Sequence, residues 1–450
     1  MKVFAASVIV LFASANLFGQ NPLSKDSRVG IAPFEVDFAS FADTAKGKSR
    51  LEVYYKLRNV GFSFVKKGSV YQAAYEVEVS LEGEYDREVA SKRSSEEFTV
   101  ATYDQTQSLE SYRLNAAHFS VRPGGYKIKI HLTDNNSREI SSANRKAVVP
   151  DFRQGALAMS DLLLIGAFAD TANLPLFKKE GRTAIPSVSR AFGDPDSLLQ
   201  FYFEVYPRTP DRKTCRVAYE ITQRQHGAWL KDTATLALVA AKTAVIERLP
   251  IRKFPPGDYR LKVILREGKK ELAKREAEFR MNWNWEAALA FNFKDVVGLL
   301  RYFARETDVQ PLEKAPPDKR PEAWEKFWKD RDPTQATREN EAKDEFERRV
   351  RFADAYFGYM GLPGWKSDMG KIYIRYGEPD QVDEDPSGMR NTNPFADEED
   401  RYTTNVTRIR QTGHASQTWY YFSFRRAFSF EDVTGNGSWV LRPPFDGRRF

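Results

Sequence analysis

The chain has 450 residues, of which 41% are hydrophobic and 29% are charged, and this composition excludes a largely disordered protein. At roughly 150 residues per domain, the length predicts about three domains that can bury cores without disulfide or metal staples. The net charge is +7, but the basic residues are scattered in pairs with acidic residues nearby, so we expect no nucleic-acid partner.

Residues 1–20 have the form of a secretory signal peptide. Lys2 supplies a positive charge, an apolar run follows over residues 3–12, and small residues come next at positions 13–15. The apolar core is shorter than the ~20 residues of a membrane-spanning helix, although an uncleaved anchor is the alternative. We therefore expect cleavage, no integral membrane span afterwards, and an exported protein in the periplasm, at the cell surface or outside the cell.

Two related β modules are predicted over residues 28–150 and 158–282. In both ranges strand-like runs alternate with turn signals, which indicates all-β antiparallel sandwiches of the Ig-like type. The single cysteine, Cys215, excludes an intrachain disulfide, and its alternation with Val217, Tyr219 and Ile221 favours one buried strand face. The first two thirds of the chain should therefore rest on packed cores alone.

Three short matches in the same chain order indicate that the modules are repeats. Residues 41–45 resemble 168–172, residues 74–76 resemble 218–220, and residues 123–130 resemble 256–263. In the third match a Pro-Gly turn precedes Tyr126 and Tyr259, each of which opens a strand with alternating aliphatic residues. We expect both tyrosines to bond back to the backbone at equivalent corners of the two modules.

After residue 282 the hydrophobic period changes to that of helices. Residues 290–318 predict a helix and a proline-punctuated linker, and residues 319–445 predict an α+β domain. Apolar residues from Ala342 to Phe357 recur at steps of three and four, which predicts an amphipathic helix. Ile372, Ile374 and Tyr376 alternate with polar neighbours and predict a strand of a small antiparallel sheet, which also contains a hairpin turn at residues 434–437.

Residues 364–380, GWKSDMGKIYIRYGEPD, resemble the signature of exported bacterial GWxTD-domain proteins. Residues 327–334, 340–341, 419–421 and the glycine-rich stretch 435–437 are also similar to that family, so that the resemblance extends over roughly residues 296–442. Two departures occur: Ser367 stands where the family has threonine, and Met369 stands where a basic residue is usual. The family has no reaction to carry over, so the resemblance implies architecture and export.

The signature has the composition of a structural joint between a helix and a sheet. Glycines 364 and 370 permit tight turns, and short polar side chains can bond to nearby backbone N–H groups. We expect Trp365 to be buried against the helix that carries Phe346, Val350 and Phe357. The candidate binding or signature residues are Trp365, Ser367, Asp368, Tyr373, Arg375, Glu378, Asp380 and Trp419.

The sequence contains no motif for a known catalytic or cofactor site, so we expect no cofactor, no catalytic residue and no metal. Residues 380–400 are acidic and could hold calcium, but no 12-residue calcium-loop spacing occurs, which favours an exposed loop. The expected function is a non-enzymatic binding or scaffolding role towards an envelope protein or glycan. The alternative is a hydrolase of envelope polymers that uses carboxylates of the motif region, Asp368, Glu378 and Asp380.

Overall fold

The computed structural model describes residues 8–9, 34–106, 108, 111–169, 174–193, 198–208, 213–223, 227–239, 241–283, 285–334, 340–358, 362–385, 415–433 and 438–443. The chain divides into unit 1, which ends at Met281, and unit 2, which continues from Asn282. Most of the predicted signal peptide, the acidic residues 386–400 and the predicted turn 434–437 lie outside the described residues. Among the described residues, no helix has the length and apolar character needed to cross a membrane.

The first half of unit 1 consists of two antiparallel sheets that share one buried cluster. Its elements are β1 (Val8–Ile9), β2 (Phe34–Ala42), β3 (Ser49–Arg58), β4 (Val65–Lys67), β5 (Val70–Glu82), β6 (Glu88–Val100), α1 (Tyr103–Thr106), β7 (Tyr112–Val121), β8 (Gly124–Asp134) and β9 (Ile140–Val149). One sheet has the order β1-β7-β3-β2, and the other has β4-β5-β8-β9 with β6 paired to β5. Inward apolar residues of both sheets, such as Val53 and Val77, form the common core.

The second half of unit 1 also has two sheets, which are antiparallel except that the short β14 runs parallel to β20. Its strands are β10 (Leu157–Met159), β11 (Leu163–Ala169), β12 (Lys178–Lys179), β13 (Arg182–Pro186), β14 (Ala191–Phe192), β15 (Leu198–Pro207), β16 (Thr214–Gln223), β17 (Gly227–Ala237), β18 (Thr243–Pro250), β19 (Gly257–Glu267) and β20 (Lys270–Met281). The sheets have the orders β10-β15-β11-β13-β12, with β18 beside β15, and β14-β20-β19-β16-β17. Cys215 is buried in the core that the two sheets share.

The strand orders of the two halves correspond. The path β2-β3-β7 matches β11-β15-β18, and β6-β5-β8-β9 matches β17-β16-β19-β20. Tyr126 on β8 donates its hydroxyl hydrogen to the carbonyl oxygen of Arg122 at 2.8 Å, and Tyr259 on β19 does the same to Pro255 at 2.7 Å. The two tyrosines therefore occupy the equivalent corners that the third sequence match predicts.

A further apolar cluster joins the two halves of unit 1. It contains Phe41 and Tyr54 from the first half and Ile165, Phe177 and Tyr202 from the second half. Because β-strand side chains alternate between faces, each of these sheets buries its second face here in addition to the face that covers its own core. The two halves are therefore packed on each other over an apolar surface.

Buried charges lie within this junction. Lys179 on β12 donates from Nζ to both carboxylate oxygens of Glu52 on β3, at 2.9 and 2.8 Å, and the two residues are 4% and 1% exposed. Glu52 also accepts from Arg50 Nε at 2.8 Å and from the hydroxyl of Tyr54. Burial raises the pKa of Glu52, but Lys179, His118 and Arg50 outweigh it and hold that pKa below its usual value.

Unit 2 combines helices with a small sheet. Its elements are α2 (Trp285–Phe291), α3 (Phe293–Phe303), α4 (Glu306–Glu313), α5 (Arg320–Lys329), α6 (Glu341–Tyr356), α7 (Asp368–Tyr376), β21 (Gln381–Asp385), β22 (Ser416–Tyr421), β23 (Arg426–Asp432) and β24 (Trp439–Leu441). The strands form an antiparallel sheet in the order β21-β22-β23-β24. Helices and sheet share one buried cluster that is rich in tryptophan and phenylalanine.

Two local predictions for unit 2 are wrong. Residues 371–376 belong to helix α7, because Ser367 caps its N-terminus and the spacing of Met369, Ile372 and Tyr373 gives one buried helical face. An apolar alternation over six residues is too short to distinguish the period of a strand from that of a helix. The predicted linker contains helix α4 despite Pro311, since Val309 and Leu312 are buried in the core.

Candidate functional site

The signature begins with a short 3-10 helix, Gly364–Lys366, that packs closely on α6. A Cβ atom added to Gly364 would lie 1.8 Å from the carbonyl oxygen of Ala353, and one added to Gly370 would lie 1.9 Å from the carbonyl oxygen of Gly364. No larger residue fits at either position without a shift of the backbone. Glycine therefore sets the distance between the end of α6 and the start of α7.

Polar side chains connect this turn to both helices. The hydroxyl of Ser367 donates to the carbonyl oxygen of Gly364 at 2.6 Å and accepts from the N–H of Gly370 at 3.0 Å. The buried carboxylate of Asp354 on α6 accepts from the N–H of Gly364 at 3.2 Å. Ser367 thus supplies the N-cap that a threonine would supply, and Asp354 is a joint residue that the sequence analysis missed.

Asp368 ties the start of α7 to the edge strand of the sheet. Its Oδ2 atom accepts from the N–H of Leu441 on β24 at 3.1 Å, and its Oδ1 atom accepts from Lys371 Nζ at 3.0 Å. The sequence predicts a bond from this carboxylate to a nearby N–H group, but the N–H partner in the structure lies 73 residues away. Both oxygens of this carboxylate are therefore engaged in holding the domain together.

Trp365 is 6% exposed, as the sequence predicts, and belongs to the same buried cluster as Phe346 and Val350. Its ring meets Trp283 edge to face, with 5.5 Å between the centroids, and Lys366 Nζ lies 4.6 Å from its centroid. Tryptophan at this position fills the space between the 3-10 helix and the helical core. Its role in the described structure is that of a core residue.

A cavity of about 220 Å³ opens beside the signature. Its lining combines the signature with the end of α6 and with β24, and consists of Phe357, Leu362, Lys366, Ser367, Asp368, Met369, Lys371, Ser438, Trp439 and Val440. Leu362 and Val440, each 44% exposed, are apolar residues of its lining. Lys366 is paired with Asp295 at 3.1 Å, so the lysine is held beside the cavity.

Tyr373 and Trp419 are fully buried. Tyr373 stacks on Phe352 with 4.4 Å between centroids, and burial raises the pKa of its phenol to about 12. Trp419 packs against Phe357 and Phe430 and donates from Nε1 to Gln417 at 3.3 Å. These two candidates are residues of the buried core.

The remaining candidates lie beyond the C-terminal end of α7. Arg375 is exposed, Glu378 is half-buried, and Asp380 accepts from the N–H of Phe422 at 2.6 Å. The nine residues of α7 rise about 13 Å from Asp368 towards Glu378, whereas paired catalytic carboxylates of glycosidases lie about 5–10 Å apart. The structure thus places Ser367 and Asp368 at the cavity, and Arg375 and Asp380 at the other end of α7.

The contribution of β24 to the cavity was not predicted from the sequence. The sequence predicts a hairpin turn at residues 434–437 within a small sheet, with no link to the signature. That link depends on a bond between residues 368 and 441, for which local spacing gives no signal. Within the described ranges, no three His, Cys, Asp or Glu side chains are grouped so that they could hold a metal ion.

The fold and the joint define a protein with an antiparallel β-sheet region followed by an α+β domain built around a glycine-serine-aspartate turn. Residues 289–433 match the family model of the GWxTD domain, so the C-terminal region of the chain carries a GWxTD domain. The match includes the whole of residues 364–380. No curated protein matches the chain.

Three solved structures to which the chain is similar are distant from it. A β-glucuronidase of Bacteroides uniformis is 10% identical with a TM-score of 0.20, and the aligned part covers 52% of this chain and 26% of that protein. Red sea bream transglutaminase is 10% identical with a TM-score of 0.17, and the shares are 56% and 32%. A β-glucuronidase of Parabacteroides merdae, solved with glycerol in its active site, is 8% identical with a TM-score of 0.19, and the shares are 57% and 30%. The chain thus matches about a third or less of each protein, and such TM-scores carry no argument.

Proposed function

We propose that this is an exported, non-enzymatic protein of a bacterial envelope or secretome, in which two Ig-like β-sandwich modules form a scaffold and the GWxTD domain binds a protein or glycan partner. The observation that carries this proposal is the open cavity of about 220 Å³ at the signature, lined by apolar residues and by signature residues that already have partners. A surface of this kind can bind a side chain or a sugar ring without catalysing a reaction.

The Ig-like assignment is supported by three features of unit 1. Each half has two sheets with a common core, the sheet paths β2-β3-β7 and β6-β5-β8-β9 recur in the second half, and each half has a tyrosine that bonds back across four residues. These are features of immunoglobulin-like sandwiches. The buried Glu52–Lys179 pair and the apolar junction then make the two modules one stiff support.

The carboxylates of the motif favour binding over hydrolysis. Asp368 and Asp380 each accept a backbone N–H, from Leu441 and Phe422 respectively, so each carboxylate holds a strand end in place. A hydrolase needs two carboxyl groups that face one substrate across a short gap. Asp368 and Glu378 lie at opposite ends of α7, whose backbone rises about 13 Å, and this position does not favour a shared substrate.

Site-specific photo-cross-linking in the exporting cell tests the proposal. A photo-reactive residue at Leu362, in the lining of the cavity, should give a discrete cross-linked product, whereas one at Val148, which is 77% exposed on β9, should not. Val440→Trp narrows the cavity and should abolish the product. Val433→Trp is the matched control, because Val433 is also 44% exposed in unit 2 and is not part of the described lining.

Two results would contradict the proposed function. The first is a product at Leu362 that persists unchanged in Val440→Trp, which would place the contact outside the cavity. The second is turnover of an envelope polymer by the purified chain that is lost in Asp368→Asn while the unfolding transition is retained, which would support the hydrolase. Export itself is tested by sequencing the N-terminus of the recovered protein, which should begin after residue 15 or residue 19.

A further inference from the structure

The hairpin between β22 and β23 ends in a turn, residues 422–425, whose backbone is held firmly. The N–H of Phe424 donates to the carbonyl oxygen of Tyr421 at 3.2 Å, and the N–H of Arg425 donates to that of Phe422 at 3.1 Å. Asp380 holds the first residue of the turn by accepting a hydrogen bond from the N–H of Phe422. This segment, called here the aromatic tip, is therefore an ordered turn.

The composition of the aromatic tip is unusual for a turn. Phe422 and Phe424 are 50% and 55% exposed, at positions where Gly, Asn, Asp or Pro are the common residues. Arg425 has a φ of +47°, a left-handed conformation that non-glycine residues adopt at a cost of about 1 kcal/mol. Departures from local rules of this kind concentrate at functional sites, because neither solubility nor backbone preference explains them.

Neighbouring aromatic rings pack against the exposed side chain of Phe424. The ring centroid of Phe424 lies 5.3 Å from that of Tyr376 at the end of α7, and Tyr376 in turn packs on Phe428 at 5.1 Å. Phe424 thus has one side on the domain and the other side towards solvent. The cavity of the proposed function is at the opposite end of α7, beside Asp368.

Three arginines lie in or beside the aromatic tip. Arg375 and Arg425 are exposed and Arg426 is half-buried, and the guanidinium carbon of Arg375 lies 5.5 Å from the Tyr376 centroid. Among the described residues, the nearby carboxylates include Glu378 and Asp380, which act on Tyr421, and Asp383, which is hydrogen-bonded to Tyr420; Asp380 is already bonded to the Phe422 N–H. The aromatic tip therefore combines two exposed rings with the exposed guanidinium groups of Arg375 and Arg425.

We propose that the aromatic tip is a membrane-contact site that inserts Phe422 and Phe424 into the interface of a bilayer containing anionic lipids. The rings would leave water for the boundary of the acyl chains, and Arg375 and Arg425 would lie at the level of the phosphates. A protein or sugar ligand is usually held in a concave site, whereas a hairpin turn with two exposed rings projects outwards and suits a planar surface. This surface is distinct from the cavity and goes beyond the proposed function.

Vesicle co-sedimentation of the full chain tests the site. Wild type should bind vesicles of phosphatidylcholine and phosphatidylglycerol in equal parts, and should bind vesicles of phosphatidylcholine alone more weakly. Phe422→Ser with Phe424→Ser should lower the affinity at least about tenfold. The matched control is Phe291→Ser on α2, because Phe291 is also a phenylalanine of unit 2 and is 52% exposed; its affinity should equal that of wild type. All variants share the same N-terminal apolar run, so only differences between them report on the tip.

A charge variant makes the test independent of the apolar change. Arg375→Gln with Arg425→Gln should lower the affinity for anionic vesicles about fivefold for each arginine, with no effect on phosphatidylcholine vesicles. Unchanged vesicle affinity in either double variant would overturn the proposal, as would an equal loss in Phe291→Ser. If the serine variant fails to fold, the charge variant decides alone. A protein cross-linked at position 422, without any vesicle binding by wild type, would also overturn it.

Discussion

Replacing Lys179 by methionine tests whether the buried charge pair holds the two halves of unit 1 together. The change removes two hydrogen bonds to Glu52, at 2.9 and 2.8 Å, and leaves that carboxylate in a site where it is 1% exposed. Loss of one partner of a buried ion pair costs about 3–5 kcal/mol. Because Arg50 and Tyr54 still donate to Glu52, we expect the lower end, about 3 kcal/mol.

A second variant separates the buried charge from the lost packing. Glu52→Gln combined with Lys179→Met removes both charges and keeps an acceptor for Arg50 and Tyr54. The double variant should therefore lie only about 1–2 kcal/mol below wild type, above the single variant. Lys178→Met is the control, because Lys178 is the exposed neighbour on β12, and it should change the stability by less than about 0.5 kcal/mol.

Urea unfolding can follow the two units separately. Of the eight tryptophans, Trp229 lies in unit 1 and the others lie in unit 2, so the fluorescence reports mainly unit 2 while circular dichroism of the strands reports unit 1. Lys179→Met should shift the strand transition and leave the fluorescence transition in place. The reasoning is refuted if Lys179→Met matches Lys178→Met, or if the double variant is no more stable than the single variant.

The Glu52–Lys179 pair also makes the stability of unit 1 depend on pH in the acidic range. The charges around Glu52 hold its folded-state pKa below the usual 4.5, so its contribution is present above about pH 4.5 and is lost as the pH falls through the folded-state pKa. Burial lowers the pKa of His118, which also disfavours the folded state at low pH. Burial raises the pKa of Asp161, which acts in the opposite direction. The loss of stability on acidification should therefore be smaller in Lys179→Met than in wild type.

Three further predictions concern single side chains. Trp365→Ala should destabilise unit 2 by about 3–5 kcal/mol, seen as a shifted fluorescence transition with the strand signal of unit 1 retained; an unchanged transition would place Trp365 at the surface. Gly364→Ala should prevent unit 2 from showing its native melting transition. Gly298→Ala, whose new Cβ atom has nothing within 4 Å, should raise the free energy of unfolding by about 0.5–1 kcal/mol. Equal changes in stability in the two variants would contradict the close packing at Gly364. Burial lowers the pKa of Lys56 to about 8, so its ¹³C-methylated amine should titrate near pH 8 by NMR, in a signal absent from Lys56→Met.

The sequence predicted well the features that depend on local period and on turn chemistry. The tyrosine corners follow from a Pro-Gly turn and an alternating strand, and both partners of each bond lie within four residues. The long helix α6 follows from apolar residues between Ala342 and Phe357 that recur at four steps of three or four residues; the structure adds the cap at Asn340. Long or cap-bounded patterns of this kind leave little ambiguity between helix and strand.

The sequence could not predict features that depend on distant partners. Lys179 and Glu52 are 127 residues apart, and a lone charge in an alternating strand indicates a solvent-facing side chain by default. Their burial arises only because the outer faces of two sheets are packed on each other. Helix α7 shows the same limit at short range, since Ile372 and Ile374 satisfy a strand pattern until the Ser367 cap and the packing of Tyr373 favour the helix.

The signature residues of the GWxTD domain are largely committed to the fold, and this affects how its function should be sought. Ser367 has both its donor and its acceptor engaged, Asp368 has both oxygens engaged, and Gly364 has no room for a side chain. Substitution at any of them should change stability and binding together, and so cannot identify a ligand. Substitution of Leu362 or Val440, which lie exposed in the cavity lining, should change binding while the unfolding transition stays in place. The function of the domain therefore has to be sought through the surface that the signature builds, because its own polar groups are already occupied.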